Sequence, residues 1–176
     1  MDFSVSLRRL GSFFDQLHMP WAVVGSLGMA AYGVQRDSPN ITVLTAVEAR
    51  EPLLGFLTEE GYVTTQSSGA SSRHRHRDRH RGRIVVLYIR GDTAHTIFSN
   101  TQPRQVLPEV EAPVPQPKHL VALKVHALTQ DPRRRTRDLE DIRNLLRSGQ
   151  VPQMAVQAIF EQRGLSKLFP QVALRD

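Results

Sequence analysis

Residues 21–44, WAVVGSLGMAAYGVQRDSPNITVL, decide the fold of this chain. Their pattern predicts a buried strand over Trp21–Val24, a tight glycine turn, a short helix over 27–32 and a second strand over 41–44. A strand that leads through a turn into a helix and back to a strand is typical of domains in which helices cover a sheet. We therefore expect a protein of the α/β (α+β) class.

Five residues of this segment carry a resemblance to a known family. Gly25 and Ser26 form the turn, Gly33 follows the helix and Arg36 precedes the second strand, with Ser38 at a position where such sequences often carry Ser or Thr. This order resembles the first half of the polymerase β-like nucleotidyltransferase fold. The resemblance implies a mixed sheet flanked by helices, as in that fold, and a function that involves nucleotides.

The resemblance also implies three carboxylates that this chain does not have. Family members carry Asp-x-Asp on the second strand, because residues two apart point to the same face and can hold Mg²⁺ for phosphoryl transfer. Here those positions are Asn40 and Thr42, and the third position, on the strand over 83–89, is best matched by Val85 or Val86. We therefore predict no metal site and no confident catalytic residue, with Asn40, Thr42 and Val85 as the degenerate positions.

A second resemblance lies in residues 117–146, PKHLVALKVHALTQDPRRRTRDLEDIRNLL. The segment resembles a helical stretch of bacterial nucleotidyltransferase-like proteins, including the toxin components of abortive-infection and toxin–antitoxin systems. The shared positions are Leu120, Lys124, Ala127, Arg133 to Arg135, Arg137, Asp138, Asp141, Ile142, Leu145 and Leu146.

Two interpretations of Lys124 and Asp138 stay open at this point. In the first, Lys124 faces the nucleotide phosphates and Asp138 orients it. In the second, the two residues form a salt bridge between antiparallel helices. The expected nucleotide-binding residues are Gly25, Ser26, Arg36, Lys124 and Asp138, since amide groups at a helix N-terminus also attract anions.

The composition of residues 71–83, SSRHRHRDRHRGR, is the most unusual of the chain. Read as one strand, it places its arginines on one face and its histidines on the other, which favours contact between the arginines and a nucleic-acid backbone. A solvated edge strand is an equally serious alternative, and a histidine metal site is a third. The candidate nucleic-acid-binding residues are Arg73, Arg75, Arg77, Arg79 and Arg81.

The length of 176 residues suits one domain with a small helical extension. We expect an α/β core over 1–105 and a C-terminal helical extension over 106–176 packed on that core. Within this division, 93–98 is predicted to be a strand and 101–117 an extended connection. The three predicted C-terminal helices cover 118–128, 136–147 and 152–163.

Composition bounds the cellular setting. The chain has no cysteine, which excludes disulfides and thiolate metal sites, and a net charge of +6, which favours anionic partners. Its first residues lack the apolar run of a signal peptide, and no apolar stretch reaches the length of a membrane span. We therefore expect a cytoplasmic protein with no membrane partner.

Three functions follow from these features. The first is a non-catalytic binding or regulatory protein, whose partner is a nucleotide, RNA or another protein. The second is an active enzyme that transfers a nucleotidyl group from NTP to RNA, protein or a small molecule. The third is a basic nucleic-acid-binding module that uses the arginine–histidine segment. No cofactor is expected, except Mg²⁺ under the second hypothesis.

Overall fold

The structure, a computed structural model, describes residues 3–174 apart from the side chain of Pro132. Within this range it contains seven α-helices and seven β-strands. The helices are α1 (Ser4–Leu17), α2 (Gly25–Ala30), α3 (Arg50–Glu59), α4 (Gly91–Phe98), α5 (Pro117–Gln130), α6 (Arg135–Arg147) and α7 (Gln153–Gln162). The strands are β1 (Trp21–Val24), β2 (Asn40–Ala46), β3 (Tyr62–Ser67), β4 (Ser71–His76), β5 (Arg83–Ile89), β6 (Gln102–Leu107) and β7 (Val110–Val114).

The main sheet has five strands in the order β1-β2-β5-β4-β3. Strands β2 and β5 pair in parallel, whereas the other three pairings are antiparallel. The prediction of a mixed sheet flanked by helices is confirmed. The predicted strand, glycine turn, helix and strand of residues 21–44 are also present, although α2 begins at Gly25, two residues before its predicted start.

The pairing of β2 with β5 sorts side chains onto two different faces. Ile41 lies beside Ile84 and Val43 beside Val86, and all four are buried. On the opposite face, which we call the open face, Asn40 lies beside Arg83, and the next pair along the strands is formed by residues 42 and 85. Successive residues of a strand alternate between faces, so one face carries the core and the other carries any polar site.

Helices α1 and α3 cover the core face. The ring of Phe14 stacks on Trp21 at 5.2 Å between centroids, and Phe13 stacks on Phe56 of α3 at 4.4 Å. The hydroxyl of Ser6 is hydrogen-bonded to the hydroxyl of Tyr62 at 2.8 Å, so α1 is also tied to β3. Leu7, Leu10 and Phe14 are buried at helical spacing on α1 and form the apolar stripe that packs on the sheet.

The three C-terminal helices are close to their predicted bounds, but the connection before them is not simply extended. Residues 102–114 form the β6–β7 hairpin, with Gln105 opposite Glu111. Its alternating residues Val110, Ala112 and Val114 are buried, which joins the hairpin to the core. A single buried apolar cluster runs from α1 to α7. The division into 1–105 and 106–176 stays a prediction, with its boundary inside β6.

The prediction of a strand over 93–98 is wrong, because these residues belong to α4. Gly91 adopts a φ of 60°, which turns the chain sharply after β5, and Ile97 is the buried residue of the helix. The run TAHTIF has β-branched and aromatic residues but pairs with no strand among residues 3–174. Tertiary context therefore overrides local propensity.

The arginine–histidine segment is not one strand either. Strand β4 ends at His76, and Arg79–Arg81 form a 3-10 turn. The carboxylate of Asp78 caps this turn by accepting a hydrogen bond from the amide of His80 at 2.9 Å. The alternation of faces predicted for the segment holds only as far as His76.

No helix among residues 3–174 is both long enough and apolar enough to cross a bilayer.

Two helical glycines provide a matched test of this packing. A Cβ atom on Gly28 of α2 would lie 2.8 Å from the carbonyl oxygen of Val23, which is backbone and cannot move aside. A Cβ atom on Gly55 of α3 would meet nothing within 4 Å. We expect Gly28→Ala to destabilise the protein by about 2 kcal/mol through overpacking. We expect Gly55→Ala to stabilise it by about 0.5–1 kcal/mol through helix propensity.

Urea denaturation of the two variants measures both free energies of unfolding. Equal effects of the two substitutions would contradict the close approach of α2 to β1.

Candidate functional site

The Gly25 turn lies directly over the open face. Gly25 has a φ of +65°, and a Cβ atom there would lie 2.9 Å from Oγ1 of Thr42. Both facts favour glycine, because a side chain would be strained in this backbone conformation and would also collide with β2. Thr42 in turn lies beside Val85 on β5. The structure thus brings together the Gly25 turn and two of the three positions at which the resemblance implies carboxylates.

Asn40 occupies the remaining position, one step along the same face. The backbone N–H of Asn40 donates a hydrogen bond to Ser38 Oγ at 3.2 Å, which holds the start of β2 in place. Its side-chain oxygen Oδ1 is buried and has no hydrogen-bond partner among the described residues. The groups that Asn40, Thr42 and Val85 offer are thus an amide, a hydroxyl and a branched hydrocarbon, all of them neutral.

A cavity of about 840 Å³ lies beside this row, between α2, the loop over 35–39 and the β6–β7 hairpin. Two of the predicted nucleotide-binding residues, Ser26 and Arg36, line it. The other lining residues are Phe3, Leu27, Ala30, Gln35, Asp37, Ser38, Pro39, Gln105, Val106, Leu107 and Pro108. Gly25 lies at the start of the same helix, but nucleotide contact by Gly25 and Ser26 stays a prediction.

The other two predicted nucleotide-binding residues lie in a buried ion cluster. Lys124 Nζ of α5 is 3.1 Å from Asp138 Oδ1 and 2.5 Å from Asp141 Oδ2, both on α6. Arg36 Nε is 3.3 Å from Asp141 Oδ1, and Arg134 Nε is 3.2 Å from Asp138 Oδ2 without the alignment of a hydrogen bond. Three cations therefore surround two carboxylates.

Burial decides what this cluster does for the fold. The side chain of Lys124 is 8% exposed and that of Asp138 is fully buried. Buried charges need partners, because desolvation of an unpaired ion is strongly unfavourable. The salt bridge between helices is thus present, and it also fixes Arg36 beside the large cavity. Phosphate contact by Lys124 stays a prediction.

Asp141 is the residue to which the sequence interpretation gave no role. It binds Lys124 and Arg36 together, and so joins α5, α6 and the loop that leads into β2. The sequence indicates this role only through spacing: Asp138 and Asp141 are three residues apart, so their side chains share one face of α6.

Arg73, Arg75 and Arg83 line a second cavity, of about 310 Å³, on the open face. Arg73 lies opposite Val85, and Arg75 lies opposite Arg83. Arg83 is also beside Asn40, and the three arginines line this cavity together with Asn40 and Val85. Of the predicted nucleic-acid-binding residues, Arg73 and Arg75 share this face. Arg77, Arg79 and Arg81 lie beyond the end of β4, so the face predicted for all five is only partly formed.

Two of the three histidines of the segment, His74 and His76, are occupied by other contacts. His74 is 1% exposed on the core face, where Nδ1 meets Thr64 Oγ1 at 3.1 Å and Nε2 meets Ser72 Oγ at 2.7 Å. Nδ1 of His76 accepts from the amide of Asp78 at 2.9 Å, and its Nε2 donates to the carbonyl of Glu60 at 2.9 Å. With both ring nitrogens bonded, neither histidine has a lone pair directed at a metal ion.

Burial also changes the proton affinity of His74. Desolvation of the ring lowers the pKa of His74 from its ordinary value of 6.5 to about 4. The hydroxyl of Ser72 continues the network to Tyr88, at 2.9 Å. His74 is therefore a neutral hydrogen-bonding residue beneath the arginines and does not add to their charge at pH 7.

The sequence matches the profile of one protein family. This family is the nucleotidyl transferase AbiEii toxin of the type IV TA system, and the match covers residues 53–176. None of the curated proteins matches the chain.

Solved structures of nucleotidyltransferases share the fold. The crystal structure of ANT(2")-Ia in complex with adenylyl-2"-tobramycin has a TM-score of 0.69 at 11% identity, over 92% of this chain and 98% of that one. The solution structure of the antibiotic-resistance factor ANT(2'')-Ia gives 0.67 at 11% identity, over 94% and 96%. An antigenic nucleotidyltransferase-like protein from Paracoccidioides brasiliensis gives 0.54 at 12% identity, over 97% and 91%. At these identities the likeness concerns the fold alone.

The ion cluster predicts a large effect of one neutral substitution. Asp141→Asn removes the charge that faces both Lys124 and Arg36, and leaves a buried lysine with one carboxylate. We expect the free energy of unfolding to fall by about 3 kcal/mol. The matched control is Glu140→Gln, at the neighbouring exposed position of α6, for which we expect a change within about 0.5 kcal/mol. Urea denaturation at pH 7 measures both, and a loss below about 1 kcal/mol for Asp141→Asn would contradict the cluster's role.

His74 predicts an acid-sensitive stability. The unfolded chain takes up a proton near pH 6.5 and the folded chain only near pH 4, so the unfolded state binds more protons between these values. Stability is therefore complete above pH 6.5 and falls as the pH drops from 6.5 towards 4, by at most about 3 kcal/mol.

Denaturation at several pH values tests this with His74→Gln, which does not titrate, and with the exposed His80→Gln as control. Burial and then Lys118 also lower the pKa of His119, and this contribution is common to all three proteins. The prediction is that only His74→Gln loses part of the slope. An unchanged slope would show that His74 titrates normally in the fold.

Proposed function

Because the chain belongs to the AbiEii nucleotidyl transferase toxin family, we propose that it is a nucleotide-binding protein of the nucleotidyltransferase fold that does not catalyse metal-dependent transfer. The expected catalytic chemistry of the fold depends on carboxylates that hold Mg²⁺. The protein thus has the scaffold of the family without its metal-dependent nucleotidyl transfer.

One observation carries this proposal. Asn40, Thr42 and Val85 lie together on the open face, beneath the Gly25 turn, and none of them has a negative charge. Mg²⁺ prefers anionic oxygen ligands in near-octahedral arrangement and gives up its bound water reluctantly. An amide and a hydroxyl are weak substitutes, and a valine offers no ligand at all.

The surrounding charge argues in the same direction. The described residues that line the smaller cavity include Arg73, Arg75 and Arg83 but no aspartate or glutamate. Three positive groups around the position of a divalent cation raise the free energy of binding it, because like charges at short distance repel. The residues that line the smaller cavity therefore do not fit Mg²⁺.

A nucleotide can still be accommodated. The cavity of about 840 Å³ falls within the size range of small-molecule sites, and it is lined by both apolar and polar groups. Arg36 reaches it from a position fixed by Asp141, and Ser26 lies at its wall. A guanidinium held in place by a carboxylate is well suited to bind a phosphate group.

A second candidate function rests on the arginines. Arg77, Arg79 and Arg81 extend the positive charge of the open face beyond the end of β4, which favours nucleic acid as an alternative partner. The type IV TA description of the family further suggests a protein partner. Active transfer with Asn40 as a weak metal ligand is the remaining alternative, and the following experiment separates it from the proposal.

The test is a transfer assay on the full chain. Each radiolabelled nucleoside triphosphate is incubated with Mg²⁺ or Mn²⁺, with bulk RNA as acceptor and with the protein itself as a second acceptor. We expect no incorporation of label above a reaction that contains EDTA, because the metal positions lack charge.

The variants Ser26→Ala and Arg36→Gln serve as controls for contaminating enzymes. Metal-dependent labelling that disappears in these variants would establish the active enzyme and refute the proposal. Labelling that persists in them comes from another protein.

A further inference from the structure

The three arginines of the smaller cavity form an unusual cross-strand arrangement. Arg75 and Arg83 are direct partners in the antiparallel pairing of β4 with β5, and Arg73 is two residues from Arg75 on the same face. Directly opposed side chains on a sheet have Cβ atoms about 4.5–5.5 Å apart, and like charges at this distance are destabilising. We call Arg73, Arg75 and Arg83 the arginine face.

The described part of the chain has no carboxylate paired with these arginines. Among residues 3–174, the guanidinium groups of the arginine face have neither an ion pair nor a hydrogen bond. Arg36 and Arg134, by contrast, each have a carboxylate within 3.3 Å. The smaller cavity is thus lined by three cations that have no anionic partner among the described residues.

The remaining polar groups of the cavity suit a ligand with both acceptor and donor atoms. Gln66 and Thr65 line it with an amide and a hydroxyl, and Asn40 contributes a buried Oδ1 with no partner. Buried polar atoms are nearly always hydrogen-bonded in folded proteins. A phosphate chain would pair with the guanidinium groups, and a hydroxyl group carried beside it would satisfy Asn40.

We propose that the arginine face binds the polyphosphate group of a nucleoside triphosphate directly, in the place where the fold otherwise holds a metal ion, so that Mg²⁺ weakens binding. This inference rests on the proposed function and adds the phosphate site. An enzyme with a carboxylate site needs Mg²⁺ to bridge the protein and the triphosphate. Here the bridge is unnecessary, and Mg²⁺ bound to the phosphates removes the negative charge that the arginines recognise.

The first test measures whether Mg²⁺ raises or lowers the affinity of the protein for ATP. ATP, inorganic tripolyphosphate and adenosine are titrated calorimetrically into the full chain, in EDTA and then in excess Mg²⁺. We expect ATP and tripolyphosphate to bind in EDTA, adenosine to bind more weakly than either, and Mg²⁺ to lower the ATP affinity on the order of tenfold. Stronger binding in Mg²⁺ would overturn the inference.

Single substitutions then locate the phosphates. Arg73→Gln and Arg83→Gln should each weaken ATP and tripolyphosphate binding on the order of tenfold, since each removes a charge-assisted contact. The matched control is Arg147→Gln on α6, which changes the net charge equally and does not line the cavity. ATP affinities that fall equally in all three variants would reflect net charge only, and would overturn the site.

The Tm of the protein, measured with and without tripolyphosphate, distinguishes a binding role of Arg83 from a structural one. Because Arg83 faces Arg75, Arg83→Gln should leave the Tm unchanged or raise it, while the gain in Tm on adding tripolyphosphate should shrink. A lower Tm for the free variant would mean that Arg83 supports the fold, against the inference.

The outcomes separate this inference from the proposed function. ATP binding that survives both arginine variants but is lost in Arg36→Gln would overturn the arginine face and leave nucleotide binding intact. Tripolyphosphate binding without ATP binding would keep the phosphate site and refute a nucleotide ligand. Failure of both ligands to bind would overturn both, whereas the transfer assay tests catalysis independently.

Discussion

The parallel pairing of β2 with β5 is the constraint on which the rest of the structure depends. Its register places Ile41, Ile84, Val43 and Val86 on the core face, and so sets every residue between them on the open face. A shift by one residue would bury polar and charged side chains and expose four apolar ones. Parallel strands cannot be joined by a tight turn, so the chain between them has room to form α3 and the two outer strands.

The charges of the protein are arranged in two contrasting ways. In the ion cluster, buried Lys124 is held between Asp138 and Asp141, and the two carboxylates also bind arginines that reach the surface. On the open face, arginines stand next to one another without carboxylates. The first arrangement stabilises the junction of the C-terminal helices with the sheet. The second places two like charges directly opposite each other, which is slightly unfavourable on a sheet.

The two arrangements are connected through a short stretch of chain. Arg36 belongs to the ion cluster and lines the large cavity, and Asn40, four residues later, lines the small one. The C-terminal helices, which carry the family resemblance, thus position the loop between the two cavities.

Much of this could be predicted from local patterns. The apolar run of β1, the glycine turn after it and the pattern of the C-terminal helical segment are short-range signals, and these elements followed from them. The strand assigned to 93–98 failed because tertiary structure decides the pairing of strands. The long strand assigned to 71–83 failed because Asp78 caps a turn two residues later, a local signal that the alternation of arginine and histidine obscured. The spacing of Asp138 and Asp141 was visible, but its partners Lys124 and Arg36 come from other elements.

By itself, the sequence determined the fold class. It also determined that Asn40, Thr42 and Val85, at the three positions where the resemblance implies carboxylates, have neutral side chains, because these side chains do not ionise in any surroundings. Only the tertiary structure decided which charges meet. Strand order puts Arg73 and Arg83 beside those three positions, and helix packing buries Lys124 between two carboxylates. Distances between side chains remote in sequence depend on how strands and helices assemble, and no local pattern specifies them.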